Sequence, residues 1–133
     1  MAGQPTTAGA NKMLDAVNGR ATQTAQTTYL ALFTATPNDT GGGTEVTTAG
    51  SNGYGRQSVT WGAPSGDPAS AANTNAITFG PFTSDLGNVT HLALFDASTA
   101  GTMLYYWDAT AAKDPANGDS ITVAIGALTM TAD

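Results

Sequence analysis

His91 is the only histidine in the 133-residue chain, and it is the one side chain whose ordinary proton affinity suits acid–base work near neutral pH. It sits inside the apolar run Val89-Thr-His-Leu-Ala-Leu-Phe-Asp96. Catalysis there would need a nucleophile or carboxylate within hydrogen-bond reach, and nothing in the sequence brings Asp85 or Asp96 against the ring. The expectation is a structural, hydrogen-bonded histidine. Of the ten carboxylates, all but Glu45 and Asp96 fall in expected turns, in the helix or at the C-terminus, where aspartates build turns and caps. The cluster Asp114-Pro-Ala-Asn-Gly-Asp119 offers the hard oxygen donors that calcium takes. It lacks the ligand spacing of a calcium loop, so it reads as a turn. Cysteine is absent, which excludes a disulfide framework, a thiol nucleophile and a thiolate metal site. No Walker loop, nucleophile elbow, zinc motif or dinucleotide fingerprint is present. The reading is a protein with no catalytic residue, no cofactor and no metal.

Binding is the remaining chemistry. Tyr105, Tyr106 and Trp107 are consecutive, so on a strand they cannot all share one face, and at least one tyrosine points away from Trp107. An outward tyrosine, together with Tyr54 and Trp61, would make a stacking surface for a sugar or an anchor for another subunit. The alternative is that all of these rings serve the core. Further candidate contact residues are Gln4, Pro5 and Thr6 in the polar N-terminal stretch, Pro37 and Asn38 at the start of a long glycine-rich segment, and Arg56 beside Tyr54.

The elements that would position these residues read as one all-β domain. A chain of this length buries a core without metals or disulfides. Residues 1–10 are small and polar, and are expected to form a flexible arm. Asn11 offers an N-cap, Met13, Leu14 and Val17 fall at helical spacing, and Gly19 marks a stop, so a short helix is expected over 12–18. Residues 27–34 and 89–96 are apolar on both alternating sets, as in strands covered on both faces. In the second run, Val89, Ala93 and Phe95 are expected on one side and Leu92 and Leu94 on the other. A five-residue connection leads from 89–96 to a strand over 102–107, forming a hairpin. Strands are also expected over 55–61 and 76–79, and over 120–125 continuing past a bulge to 128–131. Residues 37–54, 64–75 and 108–118 read as connections. Roughly seven or eight short strands without a βαβ rhythm give a single antiparallel β-sandwich, jelly-roll or Ig-like, over 11–133.

Composition limits the partners. Charged residues make up 11% of the chain, and the formal net charge is −6 with Lys12, Arg20, Arg56 and Lys113 as the only cations. Binding to phosphates by counterion release needs clustered Lys and Arg, so nucleic acid is not an expected partner. No apolar run is long enough to span a bilayer, and the N-terminus has no basic region followed by an apolar block. A membrane partner and a secretion signal are therefore not expected.

Several segments in order resemble a family of small bacteriophage virion proteins, labelled tail-fibre or minor tail proteins, with similar small β domains serving as head decoration proteins. They are Tyr29-Leu-Ala-Leu-Phe-Thr-Ala-Thr-Pro37, Gly53-Tyr-Gly-Arg-Gln-Ser-Val-Thr-Trp61, Ile77-Thr-Phe79, Gly87-Asn-Val-Thr-His-Leu-Ala-Leu-Phe-Asp96, Leu104-Tyr105, Gly118-Asp-Ser-Ile-Thr-Val123 and Leu128-Thr-Met-Thr131. The resemblance covers residues 11–133 and carries no catalytic residue with it. It implies a non-enzymatic part of the virion, made in the host cytoplasm. With no repetitive shaft or coiled-coil segment in the chain, capsid decoration ranks first: a cement subunit binding the major capsid protein and copies of itself, as dimer or trimer, and stabilising the assembled head by mass action. The other reading is a tail fibre or minor tail protein that binds a host surface glycan.

Overall fold

The computed structural model describes residues 3–47 and 52–132. Met1 and Ala2 of the expected arm, residues 48–51 of the long connection and Asp133 lie outside the described residues. The chain runs β1 (Gly3–Pro5), α1 (Thr7–Val17), β2 (Thr28–Ala35), β3 (Thr44–Glu45), β4 (Gln57–Val59), β5 (Ala69–Ala72), β6 (Ile77–Phe79), β7 (Val89–Phe95), β8 (Met103–Lys113), β9 (Ile121–Val123) and β10 (Thr129–Ala132). The large sheet has the order β1-β8-β7-β2-β3, and β4 also pairs with β2. The second layer is two two-stranded sheets, β5–β10 and β6–β9. Every one of these pairings is antiparallel, and the fold is an antiparallel β-sandwich.

The doubly apolar runs become its centre, as their pattern requires. β2, β7 and β8 lie side by side, with Leu30 opposite Leu94, and Leu94 opposite Tyr105. Leu30, Leu32, Leu92, Leu94, Tyr105 and Trp107 point to one face and pack with Ile77, Phe79, Phe82, Val123 and Leu128. Ala31, Phe33, Ala93, Phe95, Met103 and Tyr106 form a smaller cluster on the other face. Each fully buried large side chain contributes about 1.5–3 kcal/mol, so both faces of the central strands drive folding. Val89 departs from the expected alternation: it joins the Leu92 and Leu94 side, because the β7–β8 register shifts between Val89 and His91.

The N-terminal segment is not a free arm over its described part. Gly3, Gln4 and Pro5 pair with Trp107, Tyr106 and Tyr105 as an added edge strand. The helix starts five residues earlier than expected, with Thr6 instead of Asn11 as its cap. The Thr6 side chain accepts from Gly9 N–H at 3.1 Å and donates to the Met103 carbonyl at 2.7 Å, a buried cap that also clamps α1 to β8. Gly9 weakens the helical signal in the sequence, yet no larger residue fits, since a Cβ there would run into the Leu104 carbonyl oxygen.

Other expectations need correction as well: ten strands form among the described residues instead of seven or eight, and β3 lies inside the expected 37–54 connection. β8 continues to Lys113 instead of ending at Trp107, carrying the first part of the expected 108–118 turn into the sheet. β5 lies inside the expected 64–75 connection; its Ala-Ser-Ala-Ala sequence is a poor strand former and it is held by pairing with β10. The two C-terminal pieces are not one bulged strand, because β9 pairs with β6 and β10 with β5. Asn73 secures the turn between them. It is almost fully buried, its amide donates to the Asn75 and Ala124 carbonyls at 2.7 and 3.0 Å, and its Oδ1 accepts from Leu128 N–H at 2.9 Å. Asn73→Leu leaves the Leu128 N–H and the Asn75 carbonyl without these partners and takes one of two donors from the Ala124 carbonyl, and is expected to cost about 3 kcal/mol, read as a lowered urea midpoint with an unchanged denaturant slope.

Candidate functional site

Two of the sequence-selected segments meet on one polar face. β1 carries Gln4 along the β8 edge, where its amide donates to Asp39 Oδ1 at 3.2 Å and contacts the Tyr106 hydroxyl. Thr7 N–H donates to the Asp39 carbonyl at 2.8 Å, locking the loop after β2 against the start of α1. Asn38 shapes that loop by accepting on Oδ1 from Thr40 N–H, Thr40 Oγ1 and Gly42 N–H, an Asx turn. Gly3, Gln4, Thr36, Pro37, Tyr106 and Asp108 line a shallow recess of about 300 Å³. Burial holds the Tyr106 phenol above its ordinary proton affinity, so it remains neutral and can donate to Asp39 at 3.3 Å. Pro5 stays in β1, paired with Tyr105, and Thr6 is buried under the helix. The sequence reading missed Asp39 and Asp108, and offered Tyr106 only as a ring for an outward stacking surface. Asp39 follows Asn38 directly in the expected turn, whereas Tyr106 and Asp108 reach the recess only through the β1–β8 and β7–β8 registers.

Tyr54, Arg56 and Trp61 are placed differently, and the stacking surface expected from Tyr54 and Trp61 does not form. Tyr54 is 7% exposed and stacks on Phe79 with ring centroids 6.1 Å apart. Its hydroxyl accepts from Leu32 N–H at 3.1 Å and donates to Glu45 Oε1 at 2.8 Å, while burial pushes its proton affinity well up. Arg56 meets Glu45 through two parallel 2.8 Å bonds, donates to the Ala97 and Ala100 carbonyls, and lies 3.7 Å above the Phe95 ring. With its side chain 5% exposed, this guanidinium is an internal tie between β3, β4 and the β7–β8 turn. The Glu45 hydrogen bonds raise its already high proton affinity. Trp61 stacks on Trp107 at 6.3 Å and donates from its indole N–H to Thr28 Oγ1 at 3.0 Å. Tyr105 and Trp107 belong to the principal core and Tyr106 to the smaller one.

His91 Nε2 lies 2.9 Å from Asp108 Oδ1, directly across the β7–β8 pair, and Thr90 Oγ1 is 2.7 Å from its Nδ1. Neither Asp85 nor Asp96 is the partner. Asp96 instead accepts from Thr102 N–H at 2.7 Å and closes the hairpin. In the acidic turn, Asp119 accepts from Ala116 N–H at 3.0 Å. Among the described residues no three His, Cys, Asp or Glu side chains are grouped so as to hold a metal ion.

Residues 4–131 match the Gp80 family, described as podophage GP4 fiber I protein gp80. The chain belongs to this family. It is therefore a phage virion structural protein, and the family's label agrees with the tail-fibre resemblance read from the sequence. No curated protein matches the chain.

The ion pair of this fibre-family chain tests the internal role of Arg56. Glu45→Ala leaves the guanidinium buried without its carboxylate and the Tyr54 hydroxyl without its acceptor, and is expected to cost about 3 kcal/mol by chemical unfolding. A second expectation concerns Tyr54. A phenol whose proton affinity is raised by folding contributes stability below its ordinary pKa, and that contribution falls as pH rises beyond it. Stability should decline more steeply above pH 10 in the parent than in Tyr54→Phe, as followed by unfolding at a series of alkaline pH values.

Proposed function

We propose that the chain is a non-enzymatic structural subunit of a fibre on the phage particle, and that it works through protein contacts. The observation carrying this reading is the match of residues 4–131 to a family described as a fiber protein. The internal use of its polar chemistry supports it. Arg56, Glu45 and Tyr54 are consumed in holding strands together, and His91 and Asp108 tie β7 to β8.

One face available to neighbouring virion proteins is the one where the exposed Gln4, Asn38 and Asp39 come together, with Pro37, expected as a contact residue, buried beside them. Its groups are held in place by β1 and the Asn38 turn, so ordering them on association costs little. Decoration of the head, ranked first from the sequence, falls behind the fibre because the family description names a fiber. Recognition of a host glycan by a Tyr54 and Trp61 platform is weakened, since Tyr54 is buried against Phe79 and the partly buried Trp61 is stacked on Trp107.

Quantitative mass spectrometry of purified particles separates fibre from head. A fibre subunit is expected at roughly three to eighteen copies per particle, as closed symmetry at a tail requires. Hundreds of copies would place the protein on the head and overturn the reading.

A further inference from the structure

Helix α1 is apolar where a surface helix is ordinarily polar. Ala10, Met13, Leu14 and Val17 follow the i, i+3, i+4, i+7 spacing of a core-facing stripe. Met13 turns to the principal core, but Leu14 is 63% and Val17 87% exposed. They form one bank of a groove of about 640 Å³ whose other walls are Pro5, Tyr105, Thr131 and Ala132. None of the lining residues carries a formal charge.

A shape that fits such a groove is displayed elsewhere on the same chain. Ile125 is 67% exposed at the tip of the Ala124-Ile-Gly-Ala127 turn. The turn is rigid: Asn73 donates to the Ala124 carbonyl, Gly126 N–H donates to the Asn73 carbonyl at 3.0 Å, and Ala127 N–H returns to the Ala124 carbonyl. A fixed apolar knob flanked by small residues loses little freedom on entering a groove. The knob precedes the start of β10, and the groove wall is that strand's far end. The two features therefore lie at opposite ends of β10 on one copy, separate surfaces as head-to-tail contact requires.

Charge selects another copy as the occupant. Lys12 and Arg20, two of the four cations, fall in residues 7–20 with Asp15 alone of the ten carboxylates. The groove thus lies beside a segment of positive balance on a chain that is acidic elsewhere, which attracts a second acidic copy there and disfavours close approach at its other faces. We propose that the Ile125 turn of one copy seats in the α1 groove of the next. This contact rests on the subunit reading above for its place in the virion, but it is a property of the isolated chain.

Sedimentation velocity on the purified chain over a wide concentration range tests it, with thermal midpoints measured alongside. The parent is expected to form dimers and longer species as concentration rises. The groove variant Leu14→Asn/Val17→Asn and the knob variant Ile125→Asp are each expected to remain monomeric with midpoints close to the parent's, since all three side chains are exposed. Mixing the two variants is expected to restore a dimer and nothing larger, because each supplies the half the other lacks. A monomeric parent, association that survives either variant, or a mixture that stays monomeric would overturn the proposal. So would a monomeric parent whose binding to purified particles needs Leu14, which would give the groove to a different virion protein. Because particle copy number is measured separately, failure here leaves the fibre reading standing.

Discussion

A buried indole must give its N–H to an acceptor, and that requirement at Trp107 organises much of this sandwich. Trp107 is fully buried and donates to the Thr129 carbonyl at 2.6 Å, while Tyr105, on the same face of β8, accepts from Thr131 N–H at 3.3 Å. Two aromatic side chains of the large sheet thereby hold β10 of the second layer by their polar ends. The Trp107 ring also stacks on Trp61 and packs 4.7 Å from Tyr105, bringing the segment after β4 into the same core. On its remaining side lies Gly3, where a Cβ would collide with the indole, so β1 can join the sheet only with glycine at that position.

The polar interactions follow a related logic. In a chain with few charges, the bidentate Arg56–Glu45 pair occupies a largely covered site where the carbonyls of Ala97 and Ala100 accept from the guanidinium Nη1. Breaking such a pair costs more than forming it gains, so its consequence is geometric specificity: the loop before β4, the β7–β8 turn and the Phe95 face are held in one arrangement. Among the described residues no buried side-chain polar atom lacks a partner. Polar groups committed in this way fix the relative positions of the strands and loops that carry them.

The parts legible in the sequence were those fixed by alternation within one strand. β2 and β7 show it through apolar residues on both parities, and the hairpin from β7 to β8 through its turn. What depended on a distant register was not legible. Ala69 to Ala72 has no strand signal of its own and exists as β5 because β10 lies beside it. The Thr6 cap derives from a buried contact with Met103, not from local composition. Tyr54 follows a glycine-rich segment and so looked exposed. Only the fold shows Phe79 under its ring and Glu45 beside its hydroxyl. Gln4 and the Pro37-Asn38 pair read separately as contact residues in the sequence. Their convergence on Asp39 arises from β1 pairing with β8, a register that short polar residues do not announce.

That same dependence on register explains why apolar surface remains at the helix. α1 is held by backbone proximity, with Gly9 against the Leu104 carbonyl and Thr6 bonded to Met103, so its position is set by its first turn. Such close docking packs Met13 against the core and leaves Leu14 and Val17 exposed beside Tyr105 and Thr131. The exposed stripe is therefore a consequence of how the helix is anchored. An anchoring that stabilises the fold without those two side chains leaves them free to serve contacts outside it.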